Sequence, residues 1–207
     1  MRYVGMMLAA VAVLGTPVRA DEWEVVFEDP FAGEMDEQWT WLREDPEAWR
    51  IGDEGLEIRL QPGFARTVRN ALLRPAPDRS EADWAIDVTV TKHTVPTQQW
   101  EQAGITWYRN GEPIFKLVKE LLDGQLLIIP GRPAMEAPTV QLRLIVTRDS
   151  WTAQFRPNAE GEFQTADQGE LPPPGEEQVS LQGYHGPPDA AHWVRFNDFR
   201  ISRRRTP

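Results

Sequence analysis

The chain has 207 residues, a formal net charge of −10 and no cysteine. That acidity argues against a nucleic-acid surface, which needs a basic stripe to meet phosphates, and against an anionic membrane. The missing cysteines exclude thiol catalysis, zinc–thiolate sites, iron–sulfur clusters and disulfide staples, which a chain of this length does without because one large core buries enough surface.

The N-terminus reads as a secretory leader. Met1-Arg2 supplies a positive start, residues 4–14 are uncharged and mostly apolar, and Gly15 and Pro17 break that run. Val18-Arg19-Ala20 places small residues for cleavage before Asp21. The apolar run is shorter than the about 20 residues a membrane span needs, and no later segment is apolar enough to cross. The expectation is a signal peptide over 1–20 and one domain over 21–207, secreted or periplasmic. Loss of Arg2 and Arg19 would leave the mature chain two units more acidic. Arg203-Arg204-Arg205 reads as a solvated basic tail.

Patterned segments follow with the period of strands. Trp39, Trp41 and Arg43 alternate with Thr40 and Leu42. Leu56, Ile58 and Leu60 alternate with Glu57 and Arg59. Trp84, Ile86, Val88 and Val90 form one face of the next strand. Residues 114–122 fit a helix or a strand. Asn110-Gly111 and Asp123-Gly124 are hairpin-turn signals on either side, which favours a strand in a meander. Val140, Leu142, Leu144 and Val146 alternate again, and Trp193, Val194, Phe196 and Phe199 close the series. Trp49, Trp84 and Trp193 are expected in the core. Short Pro- and Gly-rich stretches at 61–63, 74–79, 130–138 and 171–176 read as loops. Many short strands with such turns predict an all-β sandwich of two antiparallel sheets.

The ordered motifs sharpen this. They are Trp39-Thr40-Trp41-Leu42-Arg43-Glu44, Trp49-Arg50-Ile51, Asn70-Ala71-Leu72-Leu73-Arg74, Ala103-Gly104-Ile105-Thr106-Trp107-Tyr108 and Phe196-Asn197-Asp198-Phe199-Arg200-Ile201. Together they resemble the concanavalin A-like lectin/glucanase superfamily. In particular they resemble the uncharacterised "regulation of enolase"-type sandwich family and the C-terminal sandwich domain of bacterial β-xylosidases. The resemblance implies a concanavalin-like jelly roll with a sheltered concave sheet face. Such a fold hosts lectins, glucanases, lyases and structural modules alike.

Catalytic signatures are missing from the sequence. A retaining glucanase needs two carboxyls roughly 5 Å apart, and no strand carries the alternating acid cluster that would supply them. His93, His185 and His192 are scattered and stand near no nucleophile or metal-spacing motif. The tryptophans are the informative residues, since indole faces stack against sugar C–H faces while polar side chains bond the hydroxyls. Candidates for a sugar-reading concave face are Trp41, Arg43, Arg74, Glu101, Trp107, Lys116 and Glu120. The competing reading of the charged residues is a solvated, salt-bridged sheet face. The resemblance also raises a structural calcium ion where the first and last strands meet, with Asp29 and Asn197 or Asp198 as oxygen donors; no other cofactor is expected. The leading expectation is non-catalytic glycan recognition. A hydrolase or lyase with a dispersed acid pair and a structural envelope protein are the alternatives. Oligomeric state is not encoded in any feature of the sequence.

Overall fold

The computed structural model describes residues 22–92 and 94–206. The expected leader and His93 lie outside the described residues. The strands in chain order are β1 (Trp23–Asp29), β2 (Thr40–Leu42), β3 (Trp49–Gly52), β4 (Gly55–Leu60), β5 (Ala71–Pro75), β6 (Trp84–Lys92) and β7 (Gln102–Arg109). They continue with β8 (Glu112–Leu122), β9 (Gln125–Ile129), β10 (Thr139–Val146), β11 (Ser150–Arg156), β12 (Gln164–Glu170), β13 (Glu177–Tyr184) and β14 (His192–Arg204). One sheet runs β12-β11-β10-β6-β14-β4-β3, with β1 also paired to β14; the other runs β2-β5-β13-β7-β8-β9. Every strand pair is antiparallel. Among the described residues no helix is long and apolar enough to cross a membrane.

Alternation places the core between the two sheets. On β10, Val140, Leu142, Leu144 and Val146 are fully buried while their neighbours are partly exposed. Leu142 and Leu144 face Val88 and Ile86 across β6, and cross-strand neighbours on one face are what stabilise a sheet. Residues 114–122 belong to strand β8. Asn110-Gly111 and Asp123-Gly124 all have positive φ (53°, 77°, 52° and 77°). That is the type I′ geometry whose twist matches the strands it joins.

Two expectations are corrected by the placement of aromatic and basic residues. Trp193 lies on the outer face of the eight-stranded sheet, with the Arg50 guanidinium 4.5 Å above its ring; the core on β14 is made by Val194, Phe196 and Phe199. Its phase is set by its neighbours, and a half-buried indole is tolerated on that face because a cation covers it. The basic end is no solvated tail either. Strand β14 runs to Arg204, whose amide donates to Asp83 O and whose guanidinium lies 4.9 Å from the Trp23 ring.

One end of the sandwich is closed by a buried arginine. Arg79 is 1% exposed. Its Nε and Nη2 donate to both Glu177 carboxylate oxygens, Nη2 also reaches Pro172 O, and Nη1 reaches Arg148 O. One side chain thus joins the β5–β6 connection, the β10–β11 turn and the segment before β13. Removing one partner of a buried pair strands the other charge. Arg79→Ala should therefore lose about 3–5 kcal/mol of stability in chemical denaturation. A loss under about 1 kcal/mol would show that water or another cation takes its place.

Candidate functional site

The outer face of the six-stranded sheet, away from the core, is set by the even-numbered residues of β7. Gln102, Thr106 and Tyr108 face outward, while Ala103, Ile105 and Trp107 enter the core. In register, Gln102 pairs with Glu120 and Tyr184, and Thr106 with Lys116 and Ser180. These side chains share one face because antiparallel partners point the same way.

A cleft of about 390 Å³ opens on this face, lined by Phe64, Ala65, Trp100, Gln102, Lys116, Glu120, Tyr184 and His185. Its base is polar and connected. Lys116 Nζ donates to Gln102 Oε1 and to Glu120 Oε2, each at 2.7 Å. Lys116 and Glu120 are four apart on one strand face, and the ion pair bridges the fully buried Val118 between them. Gln102 Nε2 donates to Trp100 O at 2.8 Å, tying the base to the rim. The Tyr184 hydroxyl makes no hydrogen bond to another described residue.

The rim is aromatic. His185 has positive φ (60°) and is met by three rings: Phe64 edge-on at 5.0 Å, Tyr184 at 5.4 Å and Trp100 at 5.8 Å. Phe64 is 64% exposed and Trp100 50% exposed, so apolar ring surface stands in solvent beside the cleft. Burial lowers the His185 pKa below its ordinary value; Glu120 pulls it up and Lys116 pushes it down. The imidazole is thus neutral at pH 7, offering one donor and one acceptor. Burial, with the Glu120 charge and Tyr108 behind it, raises the Tyr184 phenol, which keeps its proton. The cleft is therefore a hydrogen-bonding surface whose two charges cancel.

Of the seven residues expected to read sugar, Lys116 and Glu120 line this cleft. Trp107 is 0% exposed inside the core, which follows from sharing a phase with Ile105. Glu101 shares that phase and is fully buried, with both carboxylate oxygens 3.0 Å from His192 Nδ1. Trp41 faces the core side and packs on Trp49 with centroids 4.8 Å apart. Arg74 is 4% exposed, its guanidinium 3.4 Å from the centroid of the Phe27 ring. Arg43 donates to Val68 O and Arg66 O, fastening the segment that overhangs the face. Trp100, Gln102, Tyr184, His185 and Phe64 had not been anticipated. The phase of β7 could have found Gln102, while the others come together only through loops distant in sequence.

The calcium expectation is not supported. Asp29 Oδ1 accepts Phe31 N, and Oδ2 accepts Asp36 N and Trp39 Nε1, each at 2.9 Å, on the core side. Asp198 turns to the opposite face, where it accepts Thr89 Oγ1 and Asn197 Nδ2. Two carboxylates on opposite sides of a sheet cannot share an ion. Among the described residues no cluster of three or more His, Cys, Asp or Glu could hold a metal.

Beside the cleft, Glu101 anchors the rim loop. Its Oε2 accepts the amides of Thr97 and Gln98, and its carbonyl accepts from the buried Lys92 ammonium at 3.3 Å. Burial drives the Lys92 pKa from its ordinary 10.5 to about 8, against the smaller opposing pull of Glu101. Between those values the unfolded chain holds the proton and the folded chain does not, so this group's cost is full below pH 8 and relieved as pH rises to 10.5. Lys92→Met should therefore be more stable relative to wild type at pH 7 than at pH 10.5, by up to about 3 kcal/mol. A difference that stays flat across that window in urea titrations would contradict this.

No family model matches this chain, and no curated protein matches it in sequence. Solved structures do match. The GH43 protein BlXynB of Bacillus licheniformis aligns over 86% of this chain and 39% of its own, at 15% identity and a TM-score of 0.69. A xylan β-1,4-xylosidase of Bacillus halodurans aligns over 84% of this chain and 38% of its own, at 16% identity and 0.67. The VIP36 exoplasmic/lumenal domain aligns over 91% and 94%, at 12% identity and 0.51. This chain spans under two-fifths of the two bacterial proteins. These likenesses show the fold, a concanavalin-like sandwich.

Proposed function

We propose that this is an exported sandwich protein that binds a neutral glycan in the cleft without cleaving it. The observation that carries the reading is the cleft itself, where half-exposed Trp100 is joined by a hydrogen bond to a base of Gln102, Lys116 and Glu120. An indole face packs against the C–H face of a pyranose, and spare donors and acceptors on the base meet its hydroxyls. The paired charges favour a ligand without net charge, since an isolated ion would gain little from a neutralised pair.

Three further observations support it. Glu120 is the one carboxylate among the described residues lining the cleft, whereas hydrolysis of a glycosidic bond by the usual route uses two. One structural neighbour is a xylan β-1,4-xylosidase of which this chain spans a minority; that supports a carbohydrate setting, not its activity. The leader-like residues 1–20 support export.

The test is a glycan array with the purified protein, followed by calorimetry on any hit. Trp100→Ala and Glu120→Gln should each weaken binding about tenfold or more, about 1.4 kcal/mol; Trp100→Ala should do so at unchanged stability, whereas Glu120→Gln also removes the partner of Lys116 and carries a folding cost. Trp107→Ala should instead lose about 3–5 kcal/mol of folding stability. Retention of no glycan, or release of product from a polysaccharide panel, would overturn the reading.

A further inference from the structure

The sheet face carrying the cleft is mostly roofed. Residues 61–70, between β4 and β5, fold over β13 and β7 as a strap. At its start Gln61 bridges to Tyr184, and its carbonyl accepts Gly186 N at 3.2 Å. In the middle, Ala65 O accepts the Tyr108 hydroxyl at 3.3 Å. There Arg66 Nε also lies 3.0 Å from Glu112 Oε2, at the far end of the β7–β8 hairpin. Near its end Val68 packs with Ala71, Leu73, Tyr108 and Tyr184, and the Val68 carbonyl is held by Arg43. Asn70, with φ of 53°, exchanges side-chain hydrogen bonds with the Asp45 backbone at 2.6 and 3.1 Å. A turn within the strap, Thr67 N to Phe64 O at 2.9 Å, presents Phe64 to the cleft.

What lies beneath the strap shows how much of the face it closes. Thr106, Tyr108, Ser180 and Gln182 share the outward phase with Gln102, yet each is 0–2% exposed. Polar residues on an outward phase are buried only where something covers them. Tyr108 and Ser180 satisfy each other's surroundings through Gln182 Oε1, at 3.0 and 3.1 Å. What stays open is the cleft beside Lys116, whose side chain is 32% exposed, above Gln102, Glu120 and Tyr184, themselves 1–5% exposed, with Phe64 and Ala65 of the strap continuing through His185 to Trp100 as one rim. At about 390 Å³ it falls at the small end of ligand clefts, which run from roughly 300 to 1,000 Å³.

From this closure we infer that the cleft takes the terminal units of a neutral glycan chain and not an internal stretch of one. The inference rests on the glycan-binding reading above. A polymer lying across the sheet would have to pass through the strap, whereas a chain end enters beside Lys116 and stops against Phe64 and Ala65.

The experiment compares one neutral polysaccharide from the array's hits before and after limited endo-hydrolysis, which multiplies chain ends at constant mass. Binding is read by competition against an immobilised oligosaccharide hit, with Trp100→Ala as the control for the cleft. The expected result is that competition per unit mass rises in proportion to the number of ends, with oligosaccharides of increasing length equally potent per molecule. Competition that follows mass, or affinity that climbs with chain length at a fixed number of ends, overturns the chain-end inference and leaves glycan binding standing. Failure of every oligosaccharide to bind removes both.

Discussion

Strand β7 has to be buried on both of its faces, and most of the architecture answers to that. All residues from Gln102 to Tyr108 are buried. One face meets the eight-stranded sheet, so Ala103, Ile105 and Trp107 are apolar and packed in the core. The other face meets the strap and the cleft and carries polar groups: Tyr108 and Ser180 donate to Gln182 Oε1, while Thr106 Oγ1 and Gln182 Nε2 are buried without a partner among the described residues, at a cost of about 1–3 kcal/mol each. Gly104 sits where the two demands conflict: a Cβ there would strike Leu117 O and come within 2.9 Å of the Leu142 side chain of the opposite sheet. The cleft therefore lies at the corner of this doubly covered strand where Gln102 meets the partly exposed Lys116.

Two clusters of buried charge hold connecting segments to the sandwich. Arg79 and Glu177 gather three connections at one place. Lys92, Glu101 and His192 gather the rim loop at another. In each case a carboxylate or guanidinium satisfies backbone groups of loops that have no sheet to pair with, which is what lets such loops lie against a dry core. The second cluster acts on the cleft at one remove. Glu101 is adjacent to Trp100, and the Trp100 amide is held by Leu121 O at 2.7 Å.

The fold was legible because its signals are local. The two Asx-Gly turns and the period-two runs on β4, β6 and β10 need only a window of a few residues. Of the residues lining the cleft, Lys116 and Glu120 were legible, because their phase follows from the β8 hairpin. The error on β7 was one of phase: choosing Glu101 and Trp107 selected the face that a one-residue shift sends into the core. Trp41 and Arg74 went the same way, since a tryptophan or arginine on an alternating strand looks alike whether it fills a core or greets a ligand. Phe64, Trp100 and His185 were beyond local reading. They meet through the strap, the rim loop and the turn after β13, and no spacing in the sequence records that meeting.

The floor of the cleft and its walls come from different kinds of chain. Gln102, Lys116, Glu120 and Tyr184 belong to strands whose opposite faces build the core. Phe64, Ala65, Trp100 and His185 belong to connections. Substitutions of the exposed rim rings Phe64 and Trp100 carry little folding cost, while those in the strands disturb both. Divergence among descendants of such a chain would then proceed by altering ring identity and loop length around a conserved polar base. The rim can vary there while the sandwich itself stays under a separate and stricter constraint.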